Sequence, residues 1–276
     1  MRLDKPKYMP VMPIDVAEHV VPKLPADISY LLIGSDILKY PDRYAALYKH
    51  IAGDIIVDNS VIEDNIPSDI DTTLQAANVV NASIVVLPDV LMDAKATVDV
   101  TKEALGWLKR NWDDNTLQCK NYKYMLVPQA TGLGIYTWIG CLADILTYME
   151  LENIRFVNWI GIARNVMDQA GVSRDTCAFH INNMMPGEVD IHLLGFSENL
   201  TDDLVTLRNH ENVMSIDSAE PVRFAYQVGK SYRIGSDVPP RGDWWNNSQD
   251  RDVYWSDHHA SAISGVDHYN ELMGKL

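Results

Sequence analysis

Short apolar runs recur along the whole chain, and most are closed by a carboxylate, an amide or a glycine. They fall at 30–34 (Tyr-Leu-Leu-Ile-Gly), 55–58 (Ile-Ile-Val-Asp), 83–87 (Ser-Ile-Val-Val-Leu, then Pro88 and Asp89) and 124–127 (Tyr-Met-Leu-Val, then Pro128 and Gln129). Three more follow at 155–162, at 189–195 (Val-Asp-Ile-His-Leu-Leu-Gly) and at 213–217 (Val-Met-Ser-Ile-Asp). Near-continuous apolar runs this short read as strands covered on both faces. Between them the spacing turns helical, as with Tyr44, Leu47, Tyr48 and Ile51 within 41–51. Helices are expected at 68–79, with Ser68 as N-cap and Asp71 three residues on, and at 94–112, 134–151, part of 168–185, 201–209, 221–229 and 258–273.

Strand and helix therefore alternate, which predicts an α/β fold with a parallel sheet. Seven such units stand one short of a (β/α)8 TIM barrel, and 231–236 is the candidate for the eighth strand. The 276 residues, 47% of them hydrophobic, suit one domain with one large core. Within it, 1–27 reads as an irregular N-terminal wrap punctuated by Pro6, Pro10 and Pro13. Strands one to seven occupy 28–229, and the last strand, a loop and the closing helix occupy 230–276.

Barrels of this kind do their chemistry at the C-terminal mouth of the strands. Asp58, Asp89, Gln129 and Asp217 all end strands and so should converge there. Two strand-end aspartates suit displacement at a sugar anomeric carbon: one attacks and holds a covalent ester, the other donates and accepts protons. The competing reading of each is a cap on the helix that follows.

Composition narrows the partners. The formal net charge of −15 disfavours phosphate binding over the body of the protein, although a local basic patch is compatible with it. Such a patch stands in the final third, where Lys230, Arg233, Arg241 and Arg251 are interleaved with Tyr232, Trp244, Trp245, Tyr254 and Trp255. Aromatic rings stack bases while cations hold phosphates; the alternative is an aromatic lid packed on the barrel. Three scattered cysteines, Cys119, Cys141 and Cys177, form neither a disulfide framework nor a zinc motif. His258, His259 and His268 with Asp257 and Asp267 could hold a metal or simply be helix surface; no metal is expected. With no membrane-length apolar run and no apolar signal core, cytoplasmic residence is the expectation.

Taken in order, the strand ends resemble the tRNA-guanine transglycosylase family, and more closely its phage relatives that insert 7-deazaguanines into DNA. The family's Asp-Ser-Gly-Gly, whose Asp is the general acid/base, is matched by Asp58-Asn59-Ser60, without the glycines. Its base-reading Asp and Gln are matched by Asp89 and Gln129. Its Gly-Leu pair, which offers backbone contacts, is matched by Gly161-Ile162. Its Leu-Met-Gly strand end is matched by Leu193-Leu194-Gly195. Its nucleophile pattern Asp-x-x-x-Pro-x-Arg is reproduced by Asp217, Pro221 and Arg223. The family's Cys-x-Cys-x-x-Cys zinc site has no counterpart.

The resemblance implies a pentosyltransferase that needs no cofactor. It implies Asp217 as nucleophile and Asp58 as acid/base, with Asn59, Asp89, Gln129, Gly161, Ile162, Leu194 and Arg223 around the base. Lys230, Arg233, Arg241, Trp244 and Trp245 would meet the polymer. The implied partners are DNA, or alternatively tRNA, and a free 7-deazaguanine such as 7-cyano-7-deazaguanine, in a host cytoplasm if phage-encoded. A barrel enzyme acting on a small metabolite remains the alternative of a different class. The oligomeric state is left open.

Overall fold

The computed structural model of the chain describes residues 5–114, 116–166, 170–196, 200–233, 236 and 255–276. Its strands are β1 (Lys7–Pro10), β2 (Tyr30–Ile33), β3 (Ile55–Asp58), β4 (Ile84–Val86), β5 (Lys123–Leu126), β6 (Val157–Ala163), β7 (Asp190–Leu194) and β8 (Val213–Ser218). They form one eight-stranded sheet in the order β1-β8-β7-β6-β5-β4-β3-β2, with every ladder parallel. The two ends of that order, β1 and β2, lie against each other. The sheet thus wraps into a nearly closed (β/α)8 barrel.

The helices are α1 (Ile14–Val20), α2 (Gly34–Lys39), α3 (Pro41–Tyr48), α4 (Val61–Asp64), α5 (Ile70–Val80), α6 (Ala94–Asn111), α7 (Ile135–Leu151), α8 (Arg174–Met184), α9 (Leu200–Asn209), α10 (Glu220–Val228) and α11 (Trp255–Met273). Side chains alternate across each strand. Met9, Leu31, Ile56, Ile84, Met125 and Trp159 fill the barrel, while Tyr8, Leu32, Val57, Val85, Leu126 and Ile160 pack outward under the helices. Burial on both faces is why these strands carry so little polar patterning. No helix among the described residues is long and apolar enough to cross a membrane.

The strand expected at 231–236 is found at the other end of the chain. The strand beside β8 is β1, from the segment read as an irregular wrap; residues 231–233 and 236 are not strand, and 234–235 lie outside the described residues. The prolines that masked β1 are compatible with it because β1 pairs on one side only, against β8, and edge strands tolerate a missing N–H. Tyr8 pins the strand: its hydroxyl donates to the Ser218 carbonyl at 2.8 Å, and its ring packs against Tyr269 of α11 at 5.3 Å. Tyr232, expected in the eighth strand, instead packs on Phe224 and Tyr269.

Helix starts follow local chemistry. Asp69, not Ser68, caps α5 by accepting from the Thr72 amide at 2.7 Å. Asp93 and Ser173 cap α6 and α8 in the same way, so the aspartates at the strand ends are left for other work.

Candidate active site

Asp58 ends β3 on its inward face, since Ile56 points into the barrel and Val57 points out. Its register partner is Ile33 of β2, level with the mouth. The turn that follows is tight. Ser60 adopts a left-handed backbone, φ 63° and ψ 19°, at the position where the transglycosylase pattern has glycine. Ser60 compensates by accepting from the Ser35 amide through Oγ at 2.9 Å, and its own amide donates to Asp58 Oδ2 at 3.1 Å. Gly34 lies beneath: a Cβ there would stand 2.7 Å from the Asp58 carbonyl oxygen. Asp58 keeps partial exposure but is surrounded by protein and other acids. Burial pushes its carboxyl well above the usual range, and the negative charges of Glu63, Asp89 and Asp217 push it the same way. The Ser60 amide pulls only partly against them. The acids nearest to it in this effect, Glu63, Asp89 and Asp217, come from β8 and from the segments after β3 and β4.

Asp217 sits on β8, paired with Met9 of β1, and is 7% exposed. An irregularity in the β7–β8 ladder follows the Ile191–Val213 pair, after which His192 stands opposite Ser215. Bulges of this kind re-aim side chains. Here the result is a chain of contacts. His192 Nδ1 meets Ser215 Oγ at 2.7 Å, and His192 Nε2 meets Asp217 Oδ1 at 3.0 Å. The Gly195 amide donates to the same Oδ1 at 2.8 Å. Gly195 reaches it from a left-handed backbone with φ 69°. Behind the loop, the buried Arg174 of α8 donates to the carbonyls of Leu194 (2.6 Å) and Gly195 (2.7 Å) and to Asp203 (3.2 Å).

Asn59, Asp89 and Gln129 form a second buried cluster across β3, β4 and β5. Asn59 Nδ2 donates to Asp89 Oδ1 at 2.6 Å and to the Leu87 carbonyl at 2.9 Å, while its Oδ1 accepts from the Val61 amide. Gln129 Nε2 donates to Asp89 Oδ2 at 2.7 Å. Burial raises the Asp89 carboxyl to about 6 despite these two hydrogen bonds, which act to lower it. Asn59 is wholly buried and its amide is committed on both sides, which holds Asp89 in place. Asp89 retains acceptor capacity, since an ionised carboxylate has about four lone-pair sites and two are used here.

The other expected site residues divide. Leu194 points inward and is partly exposed at the mouth. Gly161 is on the inward face and leaves room for its neighbours: a Cβ there would come within 2.8 Å of Leu194 Cδ1 and 3.0 Å of Met125 Sδ. Ile162 faces outward into the helix layer. Arg223 is buried on α10, tied to Glu220 and to Gln227 of its own helix, rather than open to the mouth. Lys230 is exposed after α10, while Arg233 is bound to Ser264 of α11 through its carbonyl and hydroxyl. Arg241, Trp244 and Trp245, with Arg251, Tyr254 and the Trp255 side chain, lie outside the described residues. So does the Asp257 side chain. Among the described residues no cluster of three metal-ligating side chains forms, and His259 stacks on His19 at 4.7 Å. All three cysteines are buried thiols.

His192, Gly195, Arg174 and Ser60 are the site elements that motif reading passed over as side-chain or backbone contributors. The period of β7 contained the signal for the first of them, since alternation puts Asp190, His192 and Leu194 on one face. Chemically, the mouth holds a carboxyl whose proton affinity burial raises (Asp58) and, on β8, a second carboxyl whose Oδ1 is met by His192 Nε2 and the Gly195 amide (Asp217). No family model matches this chain, and no curated protein matches it.

Proposed function

We propose that the protein is a base-exchange enzyme, replacing guanine in a polynucleotide by a 7-deazaguanine through an aspartyl-sugar intermediate. One observation supports this reading: Asp58 and Asp217, distant in sequence, both lie on the inward face at the C-terminal ends of strands of one parallel barrel, β3 and β8. Asp217 attacks C1′, and the C1′–N9 bond breaks with its electron pair passing to the base. Asp58 delivers a proton to the departing guanine, a role for which its raised carboxyl is suited. The incoming base then gives its N9 proton to Asp58, N9 forms the new bond to C1′, and the ester's electron pair returns to Asp217. Charges and atoms balance without a redox partner. Asp89, held by Asn59 and Gln129, supplies acceptors for the N1–H and N2–H₂ edge of guanine. Leu194 gives the pocket an apolar wall.

Order along six strands favours this reading, and the resemblance favours DNA over tRNA. A target base inside a duplex must be flipped or unpaired to reach Asp217. The acidic charge of −15 favours a second reading, a barrel enzyme acting on a small sugar or nucleoside. Incubation with DNA, tRNA and a panel of 7-deazaguanines, followed by nucleoside mass spectrometry, separates them. Incorporation of a 7-deazaguanine into DNA is the expected result. Incorporation into tRNA alone would shift the polymer. Incorporation into neither, with turnover of a free nucleoside, would favour the small-substrate enzyme.

A further inference from the structure

We propose that His192 is the positioning residue for Asp217: it fixes one carboxylate oxygen and so selects Oδ2 as the atom that attacks. The inference rests on the base-exchange reading and deepens it.

Three contacts carry the argument. His192 is fully buried, with Nδ1 2.7 Å from Ser215 Oγ and Nε2 3.0 Å from Asp217 Oδ1. A bare nitrogen lone pair facing a carboxylate oxygen repels, so the network assigns the proton to Nε2 and makes it the donor. Ser215 then donates its hydroxyl to Nδ1, which locks that tautomer. The Gly195 amide donates to the same Oδ1 at 2.8 Å. Oδ1 therefore carries two donors, while no group among the described residues donates to Oδ2. A nucleophilic oxygen attacks with a lone pair, and hydrogen bonds reduce the availability of the lone pairs they occupy. Two donors on one oxygen also stop the carboxylate from rotating about Cβ–Cγ, which keeps Oδ2 on one line of approach.

The step that follows is the one given above. Oδ2 forms its bond to C1′ as the C1′–N9 bond breaks, and the base leaves with that pair and a proton from Asp58. Once the ester forms at Oδ2, Oδ1 becomes its carbonyl oxygen and still accepts from Nε2–H and the Gly195 amide. When the second base arrives, the same donors receive the returning negative charge. His192 neither gains nor loses a proton in the cycle.

The test compares His192→Leu, His192→Gln and Ser215→Ala with the wild-type protein. Exchange is followed as release of radiolabelled guanine from guanine-containing DNA or tRNA when an excess of free base is added, with kcat and KM measured separately and thermal midpoints recorded. Loss of a hydrogen bond to a charged group corresponds to about 10–100-fold in rate. The Leu variant is therefore expected to lose about that much kcat with KM within about threefold. The Gln variant, whose side-chain amide replaces Nε2–H, should recover most of the loss. Ser215→Ala should fall between them. In ¹⁵N-histidine spectra of the wild-type protein, which need no substrate, His192 should be the Nε2–H tautomer.

An Nδ1–H tautomer, or a folded Leu variant with wild-type kcat, overturns the inference while leaving the exchange reading standing. A rate loss tracking the thermal midpoint, equal in the Leu and Gln variants, also overturns it. Wild-type protein that exchanges no base in either polymer overturns the exchange reading and this inference with it.

Discussion

Asp89 and Asp58 set the pH behaviour. Each binds its proton more tightly in the folded protein than in the unfolded chain, chiefly because burial penalises the charged form. For Asp89 the folded protein consequently loses stability as pH rises from 3.8 towards about 6, and this dependence flattens above it. Urea midpoints measured across that range should fall with rising pH. Under the proposed base exchange, activity should move oppositely on its acid side, because reading the guanine edge would need Asp89 ionised. We expect kcat/KM to rise about tenfold per pH unit below about 6 and to turn over at higher pH, where Asp58 gives up its proton. A flat profile from pH 5 to 7 would separate Asp89 from base recognition.

The helix–strand units explain what was readable in the chain and what was not. β2 to β8 were legible because each is a short apolar run covered on both faces, as in Ile55–Asp58 and Ile84–Val86. β1 was not, because Lys-Tyr-Met-Pro is brief, begins with a charge and ends in proline; its strand identity comes from pairing with β8. The same limit applies to the site. Strand-end acids could be picked out, but the contact between His192 and Asp217 depends on the β8 irregularity, which no local pattern announces. Arg223 matched a spacing and is nonetheless bound to Glu220 and Gln227 on its own helix. Two predictions belong to this scale. Gly195→Ala places a Cβ on a backbone with φ 69°. It should cost about 1–2 kcal/mol of stability and lower exchange at least tenfold, as the loop draws its amide from Asp217. Tyr8→Phe removes one of two donors to the buried Ser218 carbonyl, which keeps the Val11 amide at 3.2 Å. Chemical denaturation should show a loss of about 0.5–1.5 kcal/mol, with base exchange reduced only as far as the end of β8 shifts.

Across the whole molecule, an acidic body of net charge −15 must meet a polyanion if the substrate is nucleic acid. That contact would have to be local, through exposed cations such as Lys230 and a small number of phosphates. Binding to a fluorescent oligonucleotide should weaken with salt at a log–log slope of only about −2 to −4, shallower than that of broadly basic DNA binders. A slope of zero would point to a small substrate. The barrel itself, with eight parallel strands delivering two acids to one opening, is common to both readings, so the decisive measurement concerns the covalent step. Protein mixed with guanine-containing DNA and quenched in denaturant should yield a polymer adduct on the peptide containing Asp217. Excess free base should discharge the adduct, and Asp217→Asn should lack it. An adduct on another residue, or full base exchange by Asp217→Asn, would contradict the account.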